Sequence, residues 1–141
     1  MRKNDKNFSE KEALRKFVQL VLTLEVIHSK GLIHRNLVAG ERGGNLVTSY
    51  DGQTVFVTAE GDILVGGLEK AFKGDQCEEY DDYSFFSCPD LYQSYDKGGQ
   101  CENYTPYDKK TDIWSSGCVL HLLLSDHLYQ PFDSGRYIKN Y

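Results

Sequence analysis

The residues whose types could do chemistry gather between His34 and Glu69. His34-Arg35-Asn36-Leu37-Val38 sets an imidazole, a guanidinium and an amide side by side. The amide of Asn36 can donate and accept hydrogen bonds, but it cannot act as a carboxylate base. Glu41 and Asn45 offer hard oxygen donors of the kind that ligate Mg²⁺, and Glu69 is a further carboxylate close by. Gly40-Glu41-Arg42-Gly43-Gly44 is glycine-rich, but it neither follows a clear strand nor opens a helix, so it does not read as a phosphate cradle. Cys77, Cys88, Cys101 and Cys118 form no Cys-x-x-Cys pair and do not combine with His28, His34, His121 or His127 at zinc-ligand spacing. They are read as reduced thiols without a metal.

These residues need elements to hold them. Ser9-Glu10-Lys11-Glu12 has the form of a capping box. Leu14, Phe17, Val18, Val21 and Leu24 then recur at three- and four-residue steps, and Gly31 follows as a stop, so the spacing predicts a helix over 10–30. Gly31-Leu32-Ile33-His34 is a short strand-like run. Residues 40–53, rich in Gly, Asn, Ser and Asp, read as an exposed loop. Val55-Phe56-Val57 and Ile63-Leu64-Val65 flank Thr58-Ala59-Glu60-Gly61-Asp62 and predict a hairpin. Residues 69–106 show no period and read as a long irregular segment with acids and tyrosines. Tyr80, Tyr83, Ser84 and Ser87 within it read first as solvated residues and second as phosphoacceptors. Thr111-Asp112 opens a second helix reaching about Leu124. It is apolar nearly all round, which predicts a buried position. Leu128, Tyr129, Pro131, Phe132 and Tyr137 are expected to cover core or to contact further helices.

The totals narrow the classes. The 141 residues are 40% hydrophobic and 26% charged, with a net charge of −5 and a pI near 5.3. Such acidity argues against a nucleic-acid partner. No apolar run approaches the roughly 20 residues of a membrane helix. The polar start Met1-Arg2-Lys3-Asn4-Asp5-Lys6-Asn7 does not resemble a signal peptide, so a cytoplasmic location is expected.

Taken in order, these pieces resemble the C-terminal lobe of a eukaryotic-type protein kinase from about Phe8 to Phe132. Val26-Ile27-His28-Ser29-Lys30-Gly31-Leu32-Ile33-His34-Arg35-Asn36-Leu37 resembles the end of helix αE and the His-Arg-Asp-Leu opening of the catalytic loop. Thr58 to Gly66 resembles the strand pair before the Asp-Phe-Gly motif. Cys88-Pro89-Asp90 resembles Ala-Pro-Glu, and Tyr107 to Cys118 resembles the start of helix αF. The overall character is similar to the NIMA-related serine/threonine kinases. The resemblance implies a mostly α fold with a small β-hairpin: a truncated kinase-like C-lobe, with no N-lobe and no helices after the αF region. Its expected layout is a polar tail over 1–9, a partial lobe over 10–133 and a tail over 134–141. Within the lobe, 40–53 is an insertion loop and 67–90 is activation-segment-like.

The resemblance also identifies what is missing. Phosphoryl transfer relies on positioning and charge neutralisation. The catalytic-loop Asp falls on Asn36 and the loop Lys on Val38. The metal-binding Asn falls on Thr54, the preferred alignment, or on Glu41 or Asn45. The Asp of Asp-Phe-Gly falls on Gly67, or within a deletion before Gly67-Leu68-Glu69-Lys70; neither register supplies an Asp. Asp62 lies in the hairpin, on the wrong side. Architectural positions survive in His34, Arg35, Asp90, Asp112, Trp114 and Gly117. The expected function is therefore a catalytically inactive pseudokinase that binds a protein partner or acts as a scaffold, with no metal and no cofactor. Two alternatives stand beside it. One is a piece of a serine/threonine kinase with residual ATP–Mg²⁺ binding or transfer. The other is a decayed piece without independent function.

Overall fold

The structure, a computed structural model, describes residues 8–39, 41–42, 45–46, 52–77, 88, 108–125, 132–133 and 136–137. Helix α1 spans Glu10–Ser29, and its capping box forms as the sequence predicts. The Ser9 hydroxyl accepts from the Glu12 amide, and the Glu12 carboxylate accepts from the Ser9 amide at 2.9 Å. Glu10 and Glu12 also sit favourably at the positive end of the helix dipole. At the other end Gly31 takes a left-handed φ of +72° that lets the chain turn back.

The face that α1 buries differs from the expected one. Ala13, Lys16, Leu20, Leu24 and Ile27 are buried. Of the stripe read from the sequence only Leu24 is buried, while Leu14, Val18 and Val21 are exposed. The reason is that α1 carries apolar residues on more than one face, so spacing alone could not select one. Packing selected the face that includes Lys16, whose stem lies in the core while its ammonium donates to the Gly61 carbonyl and sits 4.7 Å over the Phe8 ring.

Among the described residues, four short antiparallel pairs follow. Strand β1 (Leu32–Ile33) pairs with β6 (Phe72–Lys73), with Leu32 opposite Lys73 and Ile33 opposite Phe72. Strands β2 (Glu41–Arg42) and β3 (Asn45–Leu46) form a two-residue hairpin inside the stretch expected to be loop. Strands β4 (Val55–Val57) and β5 (Ile63–Val65) form the expected hairpin, in the register Val55–Val65, Phe56–Leu64, Val57–Ile63. A parallel bridge joins Ala39 to Val55. Strands β7 (Phe132–Asp133) and β8 (Arg136–Tyr137) pair across the expected 133/134 boundary. The stretch read as irregular from 69 onward begins with a 3₁₀ turn (Leu68–Lys70) and β6. The two-residue strands β2, β3, β6, β7 and β8 carry no periodicity to read, which is why they escaped the sequence pattern.

Helix α2 spans Lys109–Leu124. It starts two residues before the expected Thr111 because Asp108 is the cap, its carboxylate accepting from the Lys110 and Thr111 amides at 2.7 and 3.2 Å. Cys118, Val119, Leu122 and Leu123 join Leu20, Leu24, Ile27, Leu37, Ala39 and Val55 in one core. The helix is nevertheless not enclosed. Ile113 and Leu124 are about half exposed, and Gly117 and His121 are also on the surface. Among the described residues the fold is thus mostly α and kinase-lobe-like, with two helices and small antiparallel sheets. No helix among the described residues is long and apolar enough to cross a membrane. Asp90, Tyr80, Tyr83, Ser84, Ser87, Cys101, Leu128, Tyr129 and Pro131 lie outside the described residues, as do the side chains of Glu41, Asn45, Phe132 and Tyr137.

Candidate functional site

The sharp turn out of β1 places His34, Arg35 and Asn36 over the N-terminal end of α2. Asp112, 1% exposed, organises them. One of its carboxylate oxygens, Oδ2, accepts from the His34 amide at 2.8 Å and from His28 Nε2 at 2.7 Å; the other, Oδ1, accepts from the Arg35 amide at 2.9 Å. Three donors converging on one buried carboxylate satisfy its lone pairs and offset its desolvation. They also hold Arg35 at φ +67°, the only left-handed non-glycine among the described residues. The Arg35 guanidinium turns away from Asn36: Nε donates to the Lys70 carbonyl at 2.7 Å and Nη1 to Cys77 Sγ at 3.3 Å.

His34 is fully buried and bridges to the next strand pair. Its Nδ1 accepts from the Asn36 amide at 3.3 Å, so Nε2 carries the proton and donates to the Gly66 carbonyl at 2.8 Å. Thr54 bridges the same elements from the other side. Its hydroxyl donates to the Asn36 carbonyl at 2.5 Å and accepts from the Val38 amide at 2.9 Å. The Val38 carbonyl accepts from the amides of Thr54 and Val55, and the Val38 side chain packs against the core. The structure therefore brings Asn36, Val38, Thr54 and Gly67 to one place.

What that place contains decides its chemistry. Gly67 has φ +76°, and a Cβ on it would stand under 3.0 Å from Thr54 Cγ2 and 3.1 Å from Thr54 Cβ. The Thr54 methyl thus fills the space that a side chain at position 67 would need. None of these four residues is a carboxylate. Glu69 is exposed on the 3₁₀ turn. Asp62 is occupied elsewhere, accepting from Gln19 Nε2 at 2.8 Å and lying 3.3 Å from Arg15 of α1. Among the described residues no group of three or more His, Cys, Asp or Glu is placed to hold a metal ion. The donor set and the filled space do not fit a divalent cation bridging phosphates.

Trp114 and Gly117 lie apart from this loop. They line a cavity of about 590 Å³ on the outer side of α2, together with Cys88, Lys110, Ile113, Cys118 and His121. A Cβ on Gly117 would meet nothing within 4 Å, so no neighbour requires glycine there. Burial, and secondarily the charge of Cys88, pushes the Cys118 thiol up to about 11. His28, Lys16 and Gln19 carry structure that the sequence reading did not assign. His28 had a usable signal, since it lies on the last turn of α1, six residues before His34.

Known proteins match the chain over most of its length. Serine/threonine-protein kinase Nek5 of Mus musculus is 32% identical over 134 residues, covering 92% of this chain and 18% of that protein. Over most of its length this chain is thus kinase-like. Serine/threonine-protein kinase Nek1 of the same species is 26% identical over 132 residues, covering 91% of the chain and 9% of the relative. Serine/threonine-protein kinase stk11 of Xenopus laevis is 28% identical over 137 residues, covering 92% and 28%. The chain thus spans between 9% and 28% of the length of these relatives. NIMA-related names recur among the matches. No protein-family model matches the segment.

Proposed function

We propose that this kinase-like segment does not transfer phosphate and works as a protein-binding module in the cytosol, without a bound metal or nucleic acid. The observation that carries the reading is the contact between Thr54 and Gly67. In the ungapped register the metal-holding Asp falls on a left-handed glycine, Gly67, whose side-chain space is filled by the Thr54 methyl. Asn36 adds a second loss, because an amide cannot take up the proton of an incoming hydroxyl. The binding half of the reading is supported by five exposed aliphatic residues on α1 and by Ile113 and Leu124 on α2.

A second reading, residual nucleotide binding or transfer, is favoured by the kinase names of the relatives and by the intact Asp112 scaffold. Thermal melting with ATP, with and without Mg²⁺, separates the two. The melting temperature is expected to stay unchanged in both arms. A saturable, Mg²⁺-dependent rise, accompanied by transfer of labelled phosphate, would establish the second reading instead.

A further inference from the structure

The cavity on the outer side of α2 is lined by two thiols that play no part in the loop around Asn36. Trp114, Gly117, Cys118 and His121 recur at three- and four-residue steps, so they share one face of α2. Cys88 reaches the same cavity from another part of the chain. Both residues stand as thiols. Cys88 is half-buried and open to small reagents, whereas Cys118 is 5% exposed. Gly117, next to Cys118, carries no side chain, and a Cβ there would meet nothing within 4 Å. Open room therefore adjoins this turn of the helix. A charge on Cys88 is felt at Cys118, where it adds to burial in keeping the thiol protonated. Such influence weakens with distance and is screened in water beyond about 10 Å, so the two thiols are near one another. Cys77 is engaged elsewhere, buried with Arg35 Nη1 3.3 Å from its sulfur.

We propose that Cys88 and Cys118 close into a disulfide when the chain meets a small-molecule disulfide such as oxidised glutathione, tying the segment that carries Cys88 to α2. The bond is a modification of the α2 cavity. It goes beyond the protein-binding reading and does not rest on it, because neither thiol lies among the exposed aliphatic residues that support binding. In a reducing compartment the pair stays as thiols, and the bond forms as the glutathione pool becomes oxidised.

The exchange takes two displacements. Cys88, the more exposed thiol, sheds its proton and attacks one sulfur of glutathione disulfide. The bond from Cys88 to glutathione forms, the glutathione S–S bond breaks, and the departing thiolate takes up a proton. Cys118 then gives its proton to solvent and attacks the Cys88 sulfur, expelling the second glutathione thiolate, which is protonated in turn. Two protein thiols are oxidised, and one glutathione disulfide is reduced to two thiols. The order follows from exposure, since the buried Cys118 does not meet the reagent first. Once Cys88 is held in the mixed disulfide, its charge no longer opposes ionisation of Cys118.

Disulfide mapping of the 141-residue chain tests it. The chain is held at a series of reduced-to-oxidised glutathione ratios, its remaining thiols are alkylated, and it is cut with chymotrypsin. Tyr, Phe and Trp residues between the cysteines let that protease place Cys77, Cys88, Cys101 and Cys118 on separate peptides. Mass spectrometry of the folded chain is expected to find one peptide pair, joined through Cys88 and Cys118 and released by dithiothreitol. In denaturing urea the pairing is expected to move to Cys77 or Cys101, which are nearer to Cys88 along the chain and close shorter loops. Cys118→Ala is expected to stop at a single glutathione on Cys88, with circular dichroism checking that the variant is folded; the map of the parent needs no variant. A folded parent that joins Cys88 to Cys77 or Cys101 would overturn the proposal. So would one that carries only mixed disulfides, or that stays reduced at the most oxidising ratio, or whose pairing is the same in urea.

Discussion

Replacing Gly67 with alanine adds one methyl group at the point where the site is closed, and the structure sets what that costs. The backbone there has φ +76°, which disfavours a non-glycine residue by about 1–2 kcal/mol. The new Cβ would also lie under 3.0 Å from Thr54 Cγ2. Thr54 cannot swing aside cheaply, because its hydroxyl is held between the Asn36 carbonyl and the Val38 amide. Overpacking of this kind costs roughly 1–3 kcal/mol. Gly67→Ala is therefore expected to lose about 2–5 kcal/mol in urea unfolding, with the single tryptophan, Trp114, as reporter. Thr54→Ser supplies the control, since it removes Cγ2 and keeps the hydroxyl bonds. In that background Gly67→Ala is expected to cost mainly the backbone part, about 1–2 kcal/mol. Gly117→Ala, in open space on α2, is expected to gain about 0.5–1 kcal/mol. A Gly67→Ala chain as stable as the parent would refute the steric argument. So would a loss of the same size whether Thr54 is kept or replaced by serine. A corollary is that installing Asp at both 36 and 67 does not rebuild a metal site while Thr54 remains.

Two further expectations concern the core. Asp112→Ala leaves the amides of His34 and Arg35 and the ring of His28 without their acceptor in a buried place, and is expected to destabilise by about 3–5 kcal/mol; Asp112→Asn, which keeps one acceptor oxygen, is expected to lose less, and equal stability of the Ala variant and the parent would contradict the assignment. The buried Cys118 thiol keeps its proton up to about 11, against 9.0 when unfolded. Between those values the unfolded chain has lost a proton that the folded chain retains, so stability is full below pH 9.0 and falls as pH rises toward 11, by about 2 kcal/mol. Urea midpoints of the parent and of Cys118→Ala between about pH 8 and 10.5 should diverge as pH rises through that interval, and parallel curves would refute it.

The loop at His34–Asn36 is built by three contributions that are far apart in the chain: the turn from β1, the carboxylate of α2 and the hydroxyl before β4. Polar groups that stabilise the loop remain at all three. On the proposed reading the groups that would engage a phosphate do not, and the Thr54 methyl occupies the space at Gly67. A scaffold can persist in this way because its stability depends on buried hydrogen bonds, whereas transfer depends on exposed charges that contribute little to folding.

Local patterns were legible in the residues themselves. The capping box at Ser9, the stop at Gly31 and the β4–β5 hairpin are set by interactions within a few residues, so spacing reveals them. That Asn36 and Gly67 carry no carboxylate is likewise a matter of identity alone. The buried face of α1 was decided only by the tertiary structure, because two apolar faces competed and the deciding contacts, Lys16 to Gly61 and Gln19 to Ile63, come from more than forty residues away. The same holds for the His28–Asp112 link across 84 residues. It holds too for the meeting of Thr54 with Gly67, which depends on the register between β4 and β5 and on the left-handed turn that follows. Sequence spacing encodes neighbours along one element; which side chains fill a shared space is fixed only when separate elements pack.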